Sequence, residues 1–151
     1  MMSNCKRRGE WAELQFMAKA AKLGLQISKP WSELARYDMV IGAAGHFVSV
    51  QVKSTICRGR NGYVCRVQPS DISKPYHLGE FDFLAVYVIT EDVWYIIPAR
   101  LVVRRTDTIR LYPSAPTGKY EPYKEAWHLL LSDHAKAPKL RRTRRKSWRA
   151  R

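Results

Sequence analysis

Two nearly continuous apolar segments constrain the fold of this chain more than any other feature. Residues 82–89 and 93–97 consist mainly of aliphatic and aromatic side chains, and only residues 90–92 separate them. Short runs of this composition predict two β-strands joined as a hairpin. Strands that are apolar on both faces must be covered on both faces, so we expect helices to pack over the sheet.

Residues 46–54 predict a third strand of a different kind. Its three valines alternate with polar residues, so the valines share one face and Ser49, Gln51 and Lys53 share the other. A polar face of this kind is usually the solvated side of an antiparallel sheet. The neighbouring segments suggest a second interpretation.

The residues before this strand predict its hairpin partner. A two-residue turn at Ala44 and Gly45 would fold residues 37–42 back onto the strand, so that Asp38 faces Gln51. Lys53 would then lie two residues farther along the same face. The alternative for Asp38 is an ordinary salt bridge with a neighbouring basic residue, either Arg36 or Lys53.

The N-terminal segment predicts a helix over residues 8–24, because it holds good helix formers and no proline, with Gly24 as a stop. Glu13 lies within a broad apolar arc that includes Leu14 and Leu23. A carboxylate buried there would need a cation, hydrogen-bond donors or a metal. A favourable interaction with the helix dipole is the alternative, although Glu10 suits that role better.

The remaining predicted elements are short. They are strands at residues 25–28, 63–67 and 108–112, a helical turn at 98–103 and an amphipathic helix at 124–131.

Charge is distributed unevenly along the 151 residues, which are enough for one domain with a core. The net charge is +14, and residues 136–151 contribute nine Lys or Arg and no acid, which leaves +5 for residues 1–135. We therefore expect a single domain at 1–135, a disordered basic arm at 136–151 and an anionic partner. The candidate contacts to that partner are Arg58, Arg60, Arg141, Arg142, Arg144, Arg145 and Lys146.

Cysteine usage and hydropathy indicate the compartment. The three cysteines form no C-x-x-C pair, and their odd number argues against a disulfide framework, which favours a reducing compartment. No apolar run approaches the roughly 18 residues of a membrane span, and the first ten residues lack a signal-peptide core. We expect a soluble protein without a membrane partner.

The helix glutamate Glu13, the strand aspartate Asp38 and the segment Gln51-Val52-Lys53 occur in the order that is typical of one nuclease family. The chain resembles the PD-(D/E)xK endonuclease superfamily, and most closely its small group I intron-associated, homing-type members, in which glutamine replaces the acid of the third motif. Further similarities lie at residues 9–13, 81–87 and 94–98. The resemblance implies an α/β (α+β) restriction-endonuclease-like core, with an N-terminal helix followed by a mixed central β-sheet flanked by helices.

The same resemblance implies a metal-dependent endonuclease that hydrolyses phosphodiester bonds in double-stranded DNA. Asp38 would be the main Mg²⁺ ligand, assisted by Glu13 and the backbone carbonyl of Val52, and Mn²⁺ would substitute. Lys53 would orient or deprotonate the attacking water. Gln51 would keep a carbonyl oxygen at the site but remove one negative charge.

The implied partners are DNA and further copies of the chain, as a dimer or tetramer, because one site cuts one strand. The implied location is the cytoplasm of a bacterium, at the nucleoid. Two alternatives stay open: a Holliday-junction or repair nuclease, and a catalytically inactive nucleic-acid-binding protein of the same fold. Gln51 permits the second alternative, and Tyr37, which stands where proline often precedes the aspartate, is a further departure from the superfamily.

Overall fold

The computed structural model of the chain describes residues 4–43, 45–69, 71, 74–103 and 107–131. The predicted basic arm lies outside the described residues, as do its five candidate DNA contacts. Within the described part, the elements in chain order are α1 (Cys5–Lys22), β1 (Gln26–Ser28), β2 (Met39–Ala43), β3 (His46–Thr55), β4 (Tyr63–Arg66), β5 (Phe83–Val88), β6 (Val93–Pro98) and β7 (Thr108–Leu111). No helix among these residues is long and apolar enough to cross a membrane.

Helix α1 begins three residues before the predicted start because Asn4 caps it. The Asn4 side chain accepts a hydrogen bond from the backbone N–H of Lys6 at 2.9 Å. At the other end Gly24 adopts a φ of +77°, a left-handed conformation that stops the helix as predicted.

The buried face of α1 is narrower than the predicted arc. Ala12, Phe16 and Ala20, spaced four residues apart, are fully buried. Leu14 and Leu23 belong to the predicted apolar arc but are 60% and 49% exposed, so they lie outside the core.

Five strands form the central sheet in the order β1-β2-β3-β5-β6. β3 and β5 run parallel, whereas the other neighbours are antiparallel, which confirms the predicted mixed sheet. The predicted hairpin register is also confirmed, with Ala43 opposite His46 and Ile41 opposite Val48.

Strands β5 and β6 are covered on both faces, as their composition predicted, but by different layers. Phe83, Ala85 and Tyr87 share a core cluster with α1, while Leu84 and Val86 belong to a second cluster on the other face. A two-stranded antiparallel sheet of β4 and β7 covers that second face. The expectation that helices cover the sheet is therefore wrong for this second face.

The predicted amphipathic helix at residues 124–131 is replaced by two short 3₁₀ helices, Glu121–Tyr123 and Trp127–Leu130. Glu125 lies between them with a φ of +50°. Its backbone N–H donates to the carbonyl of Trp94 at 2.7 Å, and its carboxylate accepts from the N–H of Trp94 at 2.8 Å. The edge of β6 thus holds this segment in a turn, which interrupts helical hydrogen bonding.

Asp82 fixes the parallel pairing of β3 with β5. Its Oδ2 accepts hydrogen bonds from the backbone N–H and the hydroxyl of Ser49 at 2.8 and 2.9 Å. Its own N–H donates to the Ser49 carbonyl at 2.9 Å. In the resulting register, Gln51 lies beside Leu84, and Lys53 lies two residues farther along.

Candidate active site

Asp38 lies immediately before β2, at the point where the β2–β3 hairpin begins. Its backbone N–H donates to the Val50 carbonyl at 2.9 Å. Its Oδ2 accepts from the side-chain amide of Gln51 and from the backbone N–H of Val52, both at 2.7 Å. The predicted cross-strand neighbourhood of Asp38 and Gln51 is thereby confirmed.

The environment of Asp38 disfavours its charged form. Burial raises the pKa of this carboxyl to about 6, and the negative charge of Glu13 acts in the same direction. The hydrogen bond from Val52 and the positive charges of Lys53 and Lys29 lower the pKa only in part. A buried carboxylate next to a second carboxylate is a site where a cation would be favourable.

Lys53 is partly buried on the same face of β3 as Gln51, as predicted. Burial lowers the pKa of its ammonium group, while the charge of Asp38 opposes this shift. Repulsion from Arg66 and Arg36 lowers the pKa further. A lysine of this kind can exchange a proton nearer to neutral pH than a solvated one.

An aromatic ring supports Lys53. The Lys53 ammonium lies 5.6 Å from the centroid of the Tyr76 ring, within the range of a cation–π interaction. The guanidinium of Arg36 lies 4.9 Å from the same centroid. Phe81 packs edge-on against Tyr76 with ring centroids 5.0 Å apart.

Arg36 also holds the loop that carries Tyr76. Its Nη2 donates to the carbonyls of Lys74 and Pro75 at 2.5 and 3.2 Å, and its Nε donates to Glu80 at 3.4 Å. The sequence showed this segment only as an irregular loop. The alternative pairing of Asp38 with Arg36 is not seen, because Arg36 is engaged by this loop.

Glu13 meets a cation, which is one of the partners that a carboxylate in the apolar arc was expected to need. Its side chain is 25% exposed and forms an ion pair with Lys29 at 2.7 Å. Helix α1 packs on the valine face of β3, opposite to the face that carries Gln51 and Lys53. Glu13 is nevertheless close enough to raise the pKa of Asp38.

The oxygen atoms at this centre that could bind a cation belong to the carboxylates of Asp38 and Glu13 and to the backbone carbonyl of Val52. Among the described residues, no cluster of three or more His, Cys, Asp or Glu side chains forms a site for a metal ion. Gln51 directs its amide nitrogen toward Asp38, and that nitrogen also lies 3.5 Å from the Val52 carbonyl. The amide oxygen of Gln51 was expected at the site, but the atom that contacts Asp38 is the amide nitrogen.

The two predicted DNA contacts that the structure describes lie in the exposed loop after β3. Arg58 donates from Nε to the Tyr63 hydroxyl at 3.2 Å, and its Nη2 lies 3.7 Å from Glu91. Arg60 is exposed and lines a shallow cleft together with Arg110. Neither side chain contacts the Asp38 centre.

A family model described as a PD-(D/E)XK endonuclease matches residues 3–130. The chain belongs to the PD-(D/E)XK endonuclease family. A solved structure of the bacterial homing endonuclease I-Ssp6803I is similar to this endonuclease with a TM-score of 0.74 and 27% sequence identity. The similarity covers 86% of this chain and 93% of that chain. No curated protein sequence is similar to it at a significant level.

These similarities confirm the predicted family and the restriction-endonuclease-like fold class of this PD-(D/E)XK endonuclease. They also confirm that it is a nuclease. Sequence reasoning missed two residues that shape its site, Lys29 and Tyr76, for which the sequence offered no signal. It named Arg36 only as an alternative partner of Asp38 and missed its contacts with the loop that carries Tyr76.

Proposed function

We propose that this endonuclease is a Mg²⁺-dependent enzyme that hydrolyses phosphodiester bonds in double-stranded DNA. The observation that supports this proposal best is the surroundings of Asp38. Its carboxylate is buried near the charge of Glu13, and the charge of Lys53 acts on it from the same face of the sheet. Carboxylates together with a lysine are the groups that metal-assisted phosphodiester hydrolysis requires.

The donor set fits a hard divalent cation. Asp38, Glu13 and the Val52 carbonyl offer only oxygen atoms, which Mg²⁺ prefers and Mn²⁺ also accepts. A cation held there would offset both the burial of Asp38 and its repulsion by Glu13, the two causes that raise its pKa. When bound, Mg²⁺ supplies a Lewis acid for the phosphoryl oxygen and acidifies a water molecule.

The residues of the chain have separate tasks in the proposed mechanism. Lys53 orients the attacking water, takes up its proton through the small neutral fraction that burial creates, or donates to a phosphoryl oxygen. Gln51 is a positioning residue, because its amide fixes the orientation of the Asp38 carboxylate. The N–H of Val52 does the same from the backbone.

The proposed substrate is a DNA duplex cut in the manner of a homing enzyme, as the name of I-Ssp6803I suggests. A net charge of +14 favours a polyanion. Because one such site cuts one strand, we propose that the chain acts as a homo-oligomer, a dimer or a tetramer. The proposed location is the bacterial cytoplasm, at the nucleoid.

Plasmid cleavage tests the proposed reaction. With Mg²⁺ the wild type should convert supercoiled plasmid to nicked and linear forms, and EDTA should stop the conversion. Asp38→Asn and Lys53→Ala should each reduce the rate by at least about 100-fold. Lys22→Ala, which removes a charge from the opposite layer, is the matched control and should cleave like the wild type.

Three results would separate this proposal from its alternatives. Cleavage by Asp38→Asn at the wild-type rate would exclude Asp38 from the reaction. Absence of cleavage by the wild type with either Mg²⁺ or Mn²⁺ would indicate an inactive DNA-binding protein. Faster cleavage of a four-way junction than of linear duplex would indicate a repair nuclease.

A further inference from the structure

The small β4–β7 sheet has one apolar face and one solvent-facing face. Tyr63, Cys65, Ile109 and Leu111 point inward and are buried in the second core cluster. The outward positions alternate with them, as the period of a strand requires. They are Val64, Arg66, Thr108 and Arg110.

This outward face is positively charged. Arg66 and Arg110 are both exposed, and neither strand contains an acidic residue. Arg60, in the loop before β4, lines the same shallow cleft as Arg110. In the part of the chain that the structure describes, no carboxylate forms an ion pair with these three arginines. The face therefore presents unneutralised cations to solvent.

The sheet lies on the same side of the molecule as Lys53. The Val64 carbonyl accepts a hydrogen bond from the Thr55 hydroxyl at 2.6 Å, which ties β4 to the end of β3. Arg66, at the end of β4, is near enough to Lys53 for their charges to repel. A polyanion whose reacting phosphate reaches Lys53 would therefore lie close to Arg66, an outward-facing residue at the end of β4.

We propose that the outward face of the β4–β7 sheet enters the major groove of duplex DNA beside the cleaved phosphate, with Arg60, Arg66 and Arg110 as its contacts. The location of the cleaved phosphate rests on the proposed function. The major groove of B-form DNA is about 12 Å wide and admits a two-stranded β-ribbon. Arginine is the side chain best suited to both phosphate oxygens and the edge of guanine in that groove.

The positive charge of the outward face favours DNA over a second copy of the chain as its binding partner. Two copies meeting through this face would bring their arginines together without a carboxylate from either strand, which is unfavourable. Duplex DNA instead releases counterions when arginines neutralise its phosphates.

Binding in EDTA tests this inference without cleavage. The probe is a fluorescein-labelled duplex of about 40 bp with random sequence, titrated at several salt concentrations. The test variant is Arg60→Ala/Arg110→Ala, with circular dichroism and Tm measured to show that it is folded. The matched control is Arg7→Ala/Lys22→Ala, which removes two exposed charges from α1 on the opposite layer.

The test variant should raise Kd by at least about tenfold and reduce the slope of log K against log salt by roughly 1.8, or 0.9 for each phosphate that is no longer neutralised. The control should change the slope by much less. Equal changes in Kd and salt slope for the two variants would overturn the inference, because the loss of affinity would then depend on the number of charges removed and not on their position. Arg66→Ala is a second test and should lower affinity in the same assay.

An RNA duplex of the same length tests the groove. The major groove of A-form RNA is too narrow to admit side chains. The loss of affinity caused by Arg60→Ala/Arg110→Ala should therefore be confined to DNA, and an equal loss on RNA would overturn the assignment to the groove. Because the assay measures no cleavage, a wild type that binds in this way but cuts nothing would overturn the proposed function alone.

Discussion

The amide nitrogen of Gln51 lies 2.7 Å from Oδ2 of Asp38, so a neutral donor meets the carboxylate at the centre of the site. An acidic residue at position 51 would instead place a second carboxylate in that contact. The glutamine thus stabilises the charged form of Asp38 without adding repulsion.

Gln51→Glu should destabilise the protein in EDTA and increase the stabilisation gained on adding Mg²⁺. Two carboxylates at this distance repel each other, whereas a cation between them would bind more strongly. Loss of the buried hydrogen bond costs about 1–3 kcal/mol, which corresponds to a drop in Tm of several degrees. Gln68→Glu is the matched control, because Gln68 donates to Asp107 at 2.6 Å in an exposed pair. Equal losses of stability in Gln51→Glu and Gln68→Glu would show that the buried Gln51–Asp38 pair matters no more to stability than the exposed Gln68–Asp107 pair.

The stability of the wild type in EDTA should fall as the pH rises through about 6. The pKa of Asp38 is raised from 3.8 to about 6 in the folded state, so the folded protein binds more protons than the unfolded chain between these values. The resulting penalty is fully present above the folded pKa and amounts to at most about 3 kcal/mol. Asp38→Asn should remove it, so its Tm should exceed that of the wild type near pH 8 and approach it near pH 4. A constant difference between the two proteins across this range would contradict the raised pKa.

Tyr76→Leu should slow cleavage by roughly 3- to 30-fold, the equivalent of a cation–π interaction of about 0.5–2 kcal/mol with Lys53. Tyr76→Phe keeps the ring and should cleave at close to the wild-type rate. Because the ring positions Lys53, the loss should fall on kcat and shift the alkaline limb of the pH–rate profile, while KM changes little. If Phe is as slow as Leu, the hydroxyl group and not the ring is responsible. Tm values for both variants separate this effect from unfolding.

Gly62→Ala should destabilise the β4–β7 sheet. An added Cβ would overlap the carbonyl oxygen of Leu111 and lie 2.7 Å from the ring of Tyr112. We expect a loss of about 2 kcal/mol or more, together with weaker DNA binding by the outward face. Gly9→Ala is the control, because a Cβ there meets nothing within 4 Å and alanine favours the helix by about 0.5–1 kcal/mol. Similar Tm values for the two variants would contradict the close packing at Gly62.

Deleting residues 139–151 should weaken DNA binding and flatten its dependence on salt, because eight Lys or Arg are removed. The unfolding transition of the remaining chain should change little if 1–135 is an independent domain. An unchanged salt slope would show that the arm does not contact phosphate.

Local periodicity was enough to predict much of this endonuclease. Alternation along β3 assigned the valines to one face and Gln51 and Lys53 to the other, and the two-residue turn set the register that brings Asp38 to Gln51. Both features depend on residues that are close together in the chain. The continuous apolar character of β5 likewise showed that the strand is covered on both faces.

The sequence alone therefore determined the strands of the core and the hairpin register that brings Gln51 to Asp38. Only the tertiary structure decided that β4 and β7 cover the second face, that Glu13 pairs with Lys29, and that Arg36 holds Tyr76 under Lys53. Arg36 meets Pro75 across 39 residues of chain, and such a contact leaves no periodic pattern because it depends on how separate elements pack. The amphipathic pattern at 124–131 failed for the same reason, since the two hydrogen bonds between Glu125 and Trp94 of β6 outweigh the local preference for a helix.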